Sequence, residues 1–280
     1  MNTVDVSVCA NCGKEGNDIN NICNKCKQVK YCNAACKKKH RHKHKKDCEE
    51  SAAKLHDEKL FKQPPPKEDC PICFLRLPYL ASGKRYLTCC GKAICSGCIY
   101  APVYDDQGNK VDKKCPFCRT SSLTSDEEVI DRLKKRIEAG DAYSMHNLGN
   151  CYRDRTNGLQ QNHTKALELW HRAAELGHLE AYTGIGNAYD NGRGVEFDQK
   201  KANHYYELAA MKGNVKARSN LGIKEELAGN NDRAIMHYMI AVRGGDAASL
   251  EFIKEIYMKG QATRDDYTAA LQAYQVYLGE

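Results

Sequence analysis

The C-terminal half of the chain repeats a pattern of apolar and small residues. A Leu-Gly or Ile-Gly pair recurs at intervals of 37 and 36 residues, at Leu148–Gly149, Ile185–Gly186 and Leu221–Gly222. An Ala-x3-aromatic motif recurs at Ala166/Trp170, Ala202/Tyr206, Ala234/Tyr238 and Ala270/Tyr274. Small residues let two helices approach closely, an aromatic ring fills the gap between units, and a glycine ends a helix. The pattern therefore predicts stacked helix pairs.

The boundaries of this region are also visible in the sequence. All 7 prolines precede residue 117, so nothing interrupts helices over 126–280. Ser125 and Glu128 match a capping box, which predicts a helix start near residue 125. We expect residues 126–140 to form an N-terminal capping helix.

These motifs resemble Sel-one-like repeats, relatives of tetratricopeptide repeats. The second unit matches best, with NGRGV (191–195) at its inter-helix turn and DQKKA (198–202) opening the next helix. The resemblance implies an all-α solenoid of helix-pair repeats over 126–280, whose concave face binds a protein substrate or partner.

The N-terminal region carries a different pattern, built on pairs of cysteines. Of the 16 cysteines, all but Cys151 lie in the first 118 residues. Cysteines two residues apart aim two sulfur atoms at one metal ion, and four such pairs can complete two tetrahedral zinc sites. The first set of eight candidate ligands is Cys9, Cys12, Cys23, Cys26, Cys32, Cys36, His44 and Cys48.

This first set resembles a MYND zinc finger, through YCNAAC (31–36) followed by HKKDC (44–48). The resemblance implies one zinc ion on Cys9, Cys12, Cys32 and Cys36, and a second on Cys23, Cys26, His44 and Cys48. His40 and His42 are alternative ligands to His44. MYND fingers generally bind short proline-containing peptides, so a peptide is a candidate partner. Lys37 and Arg41 replace the Gln and Trp that the family usually has near its peptide groove.

The second set contains an adjacent cysteine pair. Its eight members are Cys70, Cys73, Cys89, Cys90, Cys95, Cys98, Cys115 and Cys118. The spacing resembles a RING finger in the form whose ligands are all cysteine. The resemblance implies one zinc ion on Cys70, Cys73, Cys95 and Cys98, and another on Cys89, Cys90, Cys115 and Cys118. Lys92 then lies outside the metal shell, and whether Cys89 and Cys90 both bind one ion stays open.

Three further positions match those that RING ligases share. Ile72 lies between the first two cysteines, Pro116 follows the seventh, and Arg119 follows the last. The resemblance implies that these residues contact a ubiquitin-conjugating enzyme or its ubiquitin thioester. The alternative is that Ile72 and Pro116 only shape the turns and that Arg119 is a solvated surface charge.

Composition indicates the cellular location of the protein and the classes of partner that it binds. The N-terminus lacks the basic start and apolar run of a secretory signal, so we expect an intracellular location, cytoplasmic or nuclear, where cysteines bind metal. The sequence contains no run of 18 apolar residues, so it predicts no membrane span. Four zinc ions with fifteen thiolates would cancel the formal net charge of +7. The basic run KKKHRHKHKK (37–46) could contact phosphates. It has no interleaved aromatic residue for base stacking, so we favour a solvated basic face over a nucleic-acid partner.

The sequence thus predicts small zinc-stabilised modules followed by an all-α solenoid. We expect a MYND-type finger over 9–48, a linker over 49–69 with Pro64–Pro65–Pro66, a RING-type finger over 70–119 and the helical repeats over 126–280. Four zinc ions are expected, two in each finger. The leading hypothesis is a RING-type ubiquitin ligase without catalytic side chains of its own. The alternative is a non-enzymatic scaffold that joins protein partners.

Overall fold

The chain folds into two compact units. The computed structural model describes residues 7–17, 19–63, 68–78, 83–101, 107–109, 114–121 and 125–279. The first unit spans Met1–Lys62 and the second spans Gln63–Glu280. No helix in these described ranges is long and apolar enough to cross a bilayer.

The first unit contains two small hairpins and one long helix. Strands β1 (Ser7–Val8) and β2 (Glu15–Gly16) pair antiparallel, as do β3 (Asn21–Ile22) and β4 (Lys30–Tyr31). Helix α1 spans Ala34–Leu60 and starts where the Asn33 side chain accepts a hydrogen bond from the Cys36 amide at 2.8 Å. The buried cluster consists of Cys9, Ile19, Cys23, Cys26, Tyr31 and Cys48. Four of these six are cysteines, so the unit has little apolar core apart from its thiols.

Helix α1 extends through much of the segment predicted as a linker. It continues without a break to Leu60, so residues 49–60 are helical and lie in the first unit. A helix fits this segment because it contains no proline or glycine before Pro64. The run Pro64–Pro65–Pro66 lies outside the described residues.

The second unit begins with a cysteine-rich module, here called the second cysteine module, from Cys70 to Cys118. Strands β5 (Lys84–Leu87) and β6 (Lys92–Cys95) form an antiparallel hairpin. Helix α2 (Ser96–Tyr100) follows directly. Isolated bridges join Asp69 to Arg76 and Lys114 to Ser121. Cys70, Leu77 and Ile94 are buried together, which is again a very small core.

The rest of the second unit is the predicted helical solenoid. Its helices are α3 (Asp126–Glu138), α4 (Ala142–Asp154), α5 (His163–Glu175), α6 (Leu179–Asn191), α7 (Gln199–Met211), α8 (Val215–Leu227), α9 (Asn231–Arg243), α10 (Ala247–Met258) and α11 (Arg264–Leu278). Each helix packs on the next one along the chain. The Ser125 hydroxyl accepts a hydrogen bond from the Glu128 amide at 3.2 Å, which confirms the predicted helix start.

The aromatic rings of the repeated motif pack directly on the repeated glycines. A methyl group added to Gly149 would lie 2.6 Å from Nε1 of Trp170, and one added to Gly186 would lie 2.6 Å from Cε1 of Tyr206. Gly222 meets Tyr238 in the same way. Because each ring occupies the space that a side chain would take, the Leu-Gly and Ala-x3-aromatic motifs form one packing unit.

The second cysteine module is attached to the start of the solenoid through strand β5. The ring of Tyr86 stacks on that of Tyr143 with centroids 4.0 Å apart, and the Tyr86 hydroxyl donates a hydrogen bond to Asp141. Lys84 forms an ion pair of 3.5 Å with Glu180. Burial raises the pKa of Tyr86 to about 12, so its hydroxyl stays protonated as the donor. The module is thus fixed against the first two repeats.

We expect Gly186→Ala to destabilise the solenoid. The added methyl group overlaps Tyr206, and overpacking typically costs about 1–3 kcal/mol, more than the gain of about 1 kcal/mol from helix propensity. Urea unfolding can be followed by fluorescence of Trp170, the sole tryptophan. Thr268→Ala is the control, because Thr268 is exposed on α11 and gains propensity without overlap. A gain in stability for Gly186→Ala would contradict the packing.

We also expect Tyr86→Ala to loosen the second cysteine module from the solenoid. The variant loses an aromatic stack worth about 1 kcal/mol and a hydrogen bond to a carboxylate worth about 1.5–3 kcal/mol. Amides of residues 84–95 should exchange with solvent at least about tenfold faster. Hydrogen exchange read by mass spectrometry measures this, with Arg85→Ala as control because Arg85 is exposed on the same strand. Equal exchange in both variants would rule out the attachment.

Candidate metal centres

The sixteen candidate ligands come together in four clusters. The clusters are Cys9/Cys12/Cys32/Cys36, Cys23/Cys26/His44/Cys48, Cys70/Cys73/Cys95/Cys98 and Cys89/Cys90/Cys115/Cys118. Within each cluster all ligand atoms lie within 4.8 Å of one another. These are the four groupings that the two resemblances imply. In both modules the clusters interleave along the chain, which ties distant segments together.

Four of the cysteine pairs sit on the same kind of turn. The amide that follows each pair donates to the carbonyl of the first cysteine, and these bonds are Gly13 to Cys9 (2.9 Å), Lys27 to Cys23 (3.0 Å), Phe74 to Cys70 (2.8 Å) and Arg119 to Cys115 (2.9 Å). All four donors have a positive φ of 57–70°. Lys27, Phe74 and Arg119 carry a side chain in this left-handed region, at a cost of about 1–2 kcal/mol each. A bound metal ion would offset this cost.

The spacing of the sulfur atoms fits tetrahedral zinc. Zn–S bonds of about 2.3 Å place two sulfurs about 3.8 Å apart in a tetrahedral site. The Sγ atoms of Cys12 and Cys32 are 3.7 Å apart, and those of Cys73 and Cys95 are also 3.7 Å apart. A disulfide would require about 2.05 Å. All 16 cysteines lie in the described part of the chain and carry free thiols.

The thiols within each cluster compete for negative charge. In the first cluster, the Cys32 backbone amide lowers the pKa of Cys9 to about 6, whereas the hydrogen bond with Cys36 raises the pKa of Cys32 to about 12. The other clusters show the same split, with a lowered pKa at Cys23, Cys70 and Cys118 and a raised pKa at Cys48, Cys98 and Cys89. Four thiolates repel one another, so full ionisation of a cluster requires a cation. This charge requirement fits a divalent metal ion.

The adjacent cysteines Cys89 and Cys90 reach one cluster through a tight turn between β5 and β6. The amides of Cys90 and Gly91 both donate to the carbonyl of Leu87, at 3.2 and 2.8 Å. Gly91 has a φ of 73°, which a glycine adopts without strain. The Cys90 Sγ lies 3.5 Å from that of Cys115. Lys92 is exposed at the start of β6 and lies outside the cluster.

The structure also distinguishes the three histidines of the first finger. The Nε2 atom of His44 lies 3.2 Å from the Cys26 Sγ, within the second cluster. His40 instead contacts the Tyr31 hydroxyl at 3.2 Å and stacks on the His44 ring. His42 is exposed on α1. His44 is therefore the histidine placed to bind the metal.

The three predicted partner-binding residues lie on the turns around the clusters. Ile72, Pro116 and Arg119 are all exposed. Arg119 also has a left-handed backbone conformation, and its amide donates the hydrogen bond that closes the turn. This position therefore shapes the turn, whatever its side chain binds. Phe74 and Leu75, which the sequence analysis did not single out, extend the exposed apolar surface next to Ile72. The sequence signal that could have identified them is their position directly after the Cys70–Cys73 pair, where the turn leaves apolar side chains exposed.

Two family models match parts of the chain. The model described as MYND finger matches residues 9–48. The model described as Sel1 repeat matches residues 142–178 and 179–214. Residues 9–48 are a MYND finger, and residues 142–214 are two Sel1 repeats. The MYND finger together with the four clusters indicates zinc binding.

Curated relatives match over short stretches. The chain is 32% identical over 103 residues to the ERAD-associated E3 ubiquitin-protein ligase component HRD3B of Arabidopsis thaliana, covering 36% of this chain and 16% of the relative. It is 42% identical over 84 residues to the E3 ubiquitin-protein ligase GW2 of Oryza sativa subsp. indica, covering 26% and 18%. In both cases the chain spans less than a fifth of the relative.

Solved structures with Sel1-type repeats resemble the solenoid. A Sel1 repeat protein from Oxalobacter formigenes shares 28% identity with a TM-score of 0.47, covering 57% of this chain and 65% of the other. A protective antigen of uropathogenic Escherichia coli with an SLR fold shares 29% identity with a TM-score of 0.46, covering 54% and 33%.

We expect the purified protein to contain about four zinc ions, one for each cluster. Cys90→Ser should lose about one ion, because a hydroxyl is a poor zinc ligand. Lys92→Ala should keep all of them, since Lys92 lies outside the cluster. Metal analysis by mass spectrometry gives the count, with Cys151→Ala as the control, because Cys151 is buried outside the four clusters. An unchanged count in Cys90→Ser would remove Cys90 from the metal shell.

Proposed function

We propose that the protein is a RING-type ubiquitin ligase, with the second cysteine module as its RING finger. The observation that carries this proposal is the interleaving of the two clusters of this module together with the exposure of Ile72 and Pro116 beside them. The relatives named as ubiquitin ligases or ligase components support the same pathway.

The surface beside the first of these clusters suits the docking of a conjugating enzyme. Ile72, Phe74 and Leu75 have exposed fractions of 38%, 76% and 69% on a single turn. Adjacent apolar side chains left in water on a turn held by hydrogen bonds are typical of a protein-binding surface. Arg119, on the last turn, would contact the ubiquitin thioester.

The chemistry would take place on the docked enzyme. Three or four sulfur ligands would complete the shell of each zinc ion and make it structural. In this proposal the zinc modules would supply no catalytic side chain and form no covalent intermediate. It accelerates transfer by holding the charged conjugating enzyme near an acceptor lysine, which converts a bimolecular step into an effectively unimolecular one.

The other modules would select the substrate. The Sel1 repeats offer a protein-binding solenoid, and strand β5 fixes the RING module against its first repeats. In the MYND finger, a groove of about 780 Å³ is lined by Tyr31, Lys37, Lys38, Arg41 and neighbouring residues. The basic lining favours a peptide that carries acidic residues. Lys37 already donates to the Ile22 carbonyl at 2.8 Å and to the Asn24 side chain at 3.0 Å, so one of its three donors is left for a peptide.

A scaffold without ligase activity is the second candidate. The names of the HRD3 relatives favour this scaffold role, because each is called a component of a ubiquitin ligase. Both candidates place the protein inside the cell, in the cytoplasm or nucleus, where its free thiols stay reduced. Neither candidate involves nucleic acid.

The test is autoubiquitination by the zinc-loaded full-length protein with a panel of conjugating enzymes. We expect chain formation in the wild type and a loss of at least about tenfold in Ile72→Ala, because truncating a central docking residue typically costs more than about 1.4 kcal/mol. Zinc content must stay unchanged in the variant.

Val8→Ala is the matched control, because Val8 is an exposed aliphatic residue of the MYND finger, outside the RING module. Activity that persists in zinc-loaded Ile72→Ala would exclude docking at this surface. No chains with any conjugating enzyme would favour the scaffold.

A further inference from the structure

Arg218 is a buried cation without a partner. It lies on the first turn of α8, and only 1% of its surface is exposed. Within the part of the chain that the structure describes, none of its three guanidinium nitrogens has a hydrogen-bond partner. Burial lowers its pKa to about 10, so the guanidinium remains charged at neutral pH. An unpaired buried charge costs several kcal/mol, and such a group calls for an explanation.

The repeat itself does not need an arginine here. Counting from the Leu-Gly pairs, Arg218 occupies the position of Met145 in α4 and Tyr182 in α6. Met145 is buried in the core, and the Tyr182 hydroxyl donates to the Ala174 carbonyl at 2.9 Å. An apolar or aromatic side chain therefore satisfies this position in the same solenoid.

A cavity borders Arg218. Its volume is about 90 Å³, and it is lined by Gln63, Gly213, Val215, Arg218, Ile240, Arg243 and Gly244. At about 30 Å³ for each water molecule, the cavity has room for about three waters, or for one carboxylate or phosphate group. Arg243 also lines this cavity, and it is exposed, so a second cationic side chain borders the cavity.

The acceptors near the ends of α7 and α9 and at the start of α10 are already engaged within the chain. At the ends of α7 and α9, the carbonyls of Ala210 and Ala241 accept hydrogen bonds from the amides of Gly213 and Gly244, at 3.0 and 2.9 Å. Asp246, the N-cap of α10, binds Ser249 and Lys216. Among the described residues no group accepts a hydrogen bond from Arg218, and Gln63, the uncharged polar side chain of the lining, is no exception.

We propose that Arg218, with Arg243 at the cavity wall, binds an oxyanion group carried by a polypeptide partner of the solenoid. A carboxylate of an acidic residue and a phosphate of a phosphorylated residue share the required chemistry, since both accept paired hydrogen bonds from a guanidinium. The site is independent of the ligase proposal, because it concerns what the solenoid holds and not what the RING module does.

The experiment measures the thermal midpoint of the full-length zinc-loaded protein, followed by Trp170 fluorescence. Sodium acetate and sodium phosphate are the probes, each compared with sodium chloride at equal ionic strength. We expect at least one probe to raise the midpoint saturably in the wild type, because a ligand that binds only the folded state stabilises it. Arg218→Met should abolish that rise, whereas Arg264→Met, at an exposed arginine of α11, should keep it.

A second readout separates binding from a structural role. Without a probe, Arg218→Met should melt at or above the wild-type midpoint, because Met145 fills the equivalent position and the unpaired charge is gone. Arg218→Tyr, which introduces the side chain of the equivalent Tyr182, repeats the test if the methionine variant folds poorly.

A response to acetate alone assigns a carboxylate, and a response to phosphate alone assigns a phosphate. No saturable rise that depends on Arg218, or a midpoint lowered in both variants, would overturn the proposal.

Discussion

Electrostatic repulsion among clustered thiolates is the constraint on which the N-terminal half of this protein depends. Each cluster brings four ligand atoms within 4.8 Å, and in each the pKa of one thiol is lowered while that of another is raised. A divalent ion removes this conflict and so permits the fold. The apolar cores of the two cysteine modules are too small to hold the chain without it. We therefore expect metal binding and folding to be coupled in these modules.

The solenoid depends on a different kind of contact, in which an aromatic ring packs against the backbone of a glycine. Glycines at 149, 186 and 222 let aromatic rings from the neighbouring helix pack on bare backbone. This close packing builds a continuous core across the repeats, each of which would be too small to be stable alone. The two halves of the second unit then meet at Tyr86, whose ring and hydroxyl contact Tyr143 and Asp141.

This attachment matters for any function that transfers a group between bound partners. A zinc module on a flexible tether would sample many positions, whereas one held by a stacked ring, a hydrogen bond and the Lys84–Glu180 ion pair has a defined position against the first repeats. A partner bound to those repeats would then lie at a fixed distance from a protein docked at Ile72. The geometry thus serves a ligase or a scaffold equally well, and activity on the docked enzyme separates the two.

The sequence by itself determined the features that follow from short spacings. Cysteine pairs separated by two residues predicted metal sites, the resemblances to MYND and RING fingers implied the four groupings that the structure shows, and the glycine and aromatic periods predicted the helix pairs. These features depend on local geometry, which repeats wherever the motif does. Tertiary structure alone decided the others. The continuation of α1 to Leu60 replaces much of the predicted linker. At two positions where the sequence left alternatives open, the turn at Leu87 brings Cys89 and Cys90 to one cluster and the path of α1 places His44 rather than His40 beside Cys26. The attachment of β5 to the solenoid and the burial of Arg218 without a partner also arise from residues far apart in the sequence, whose contacts no local pattern encodes.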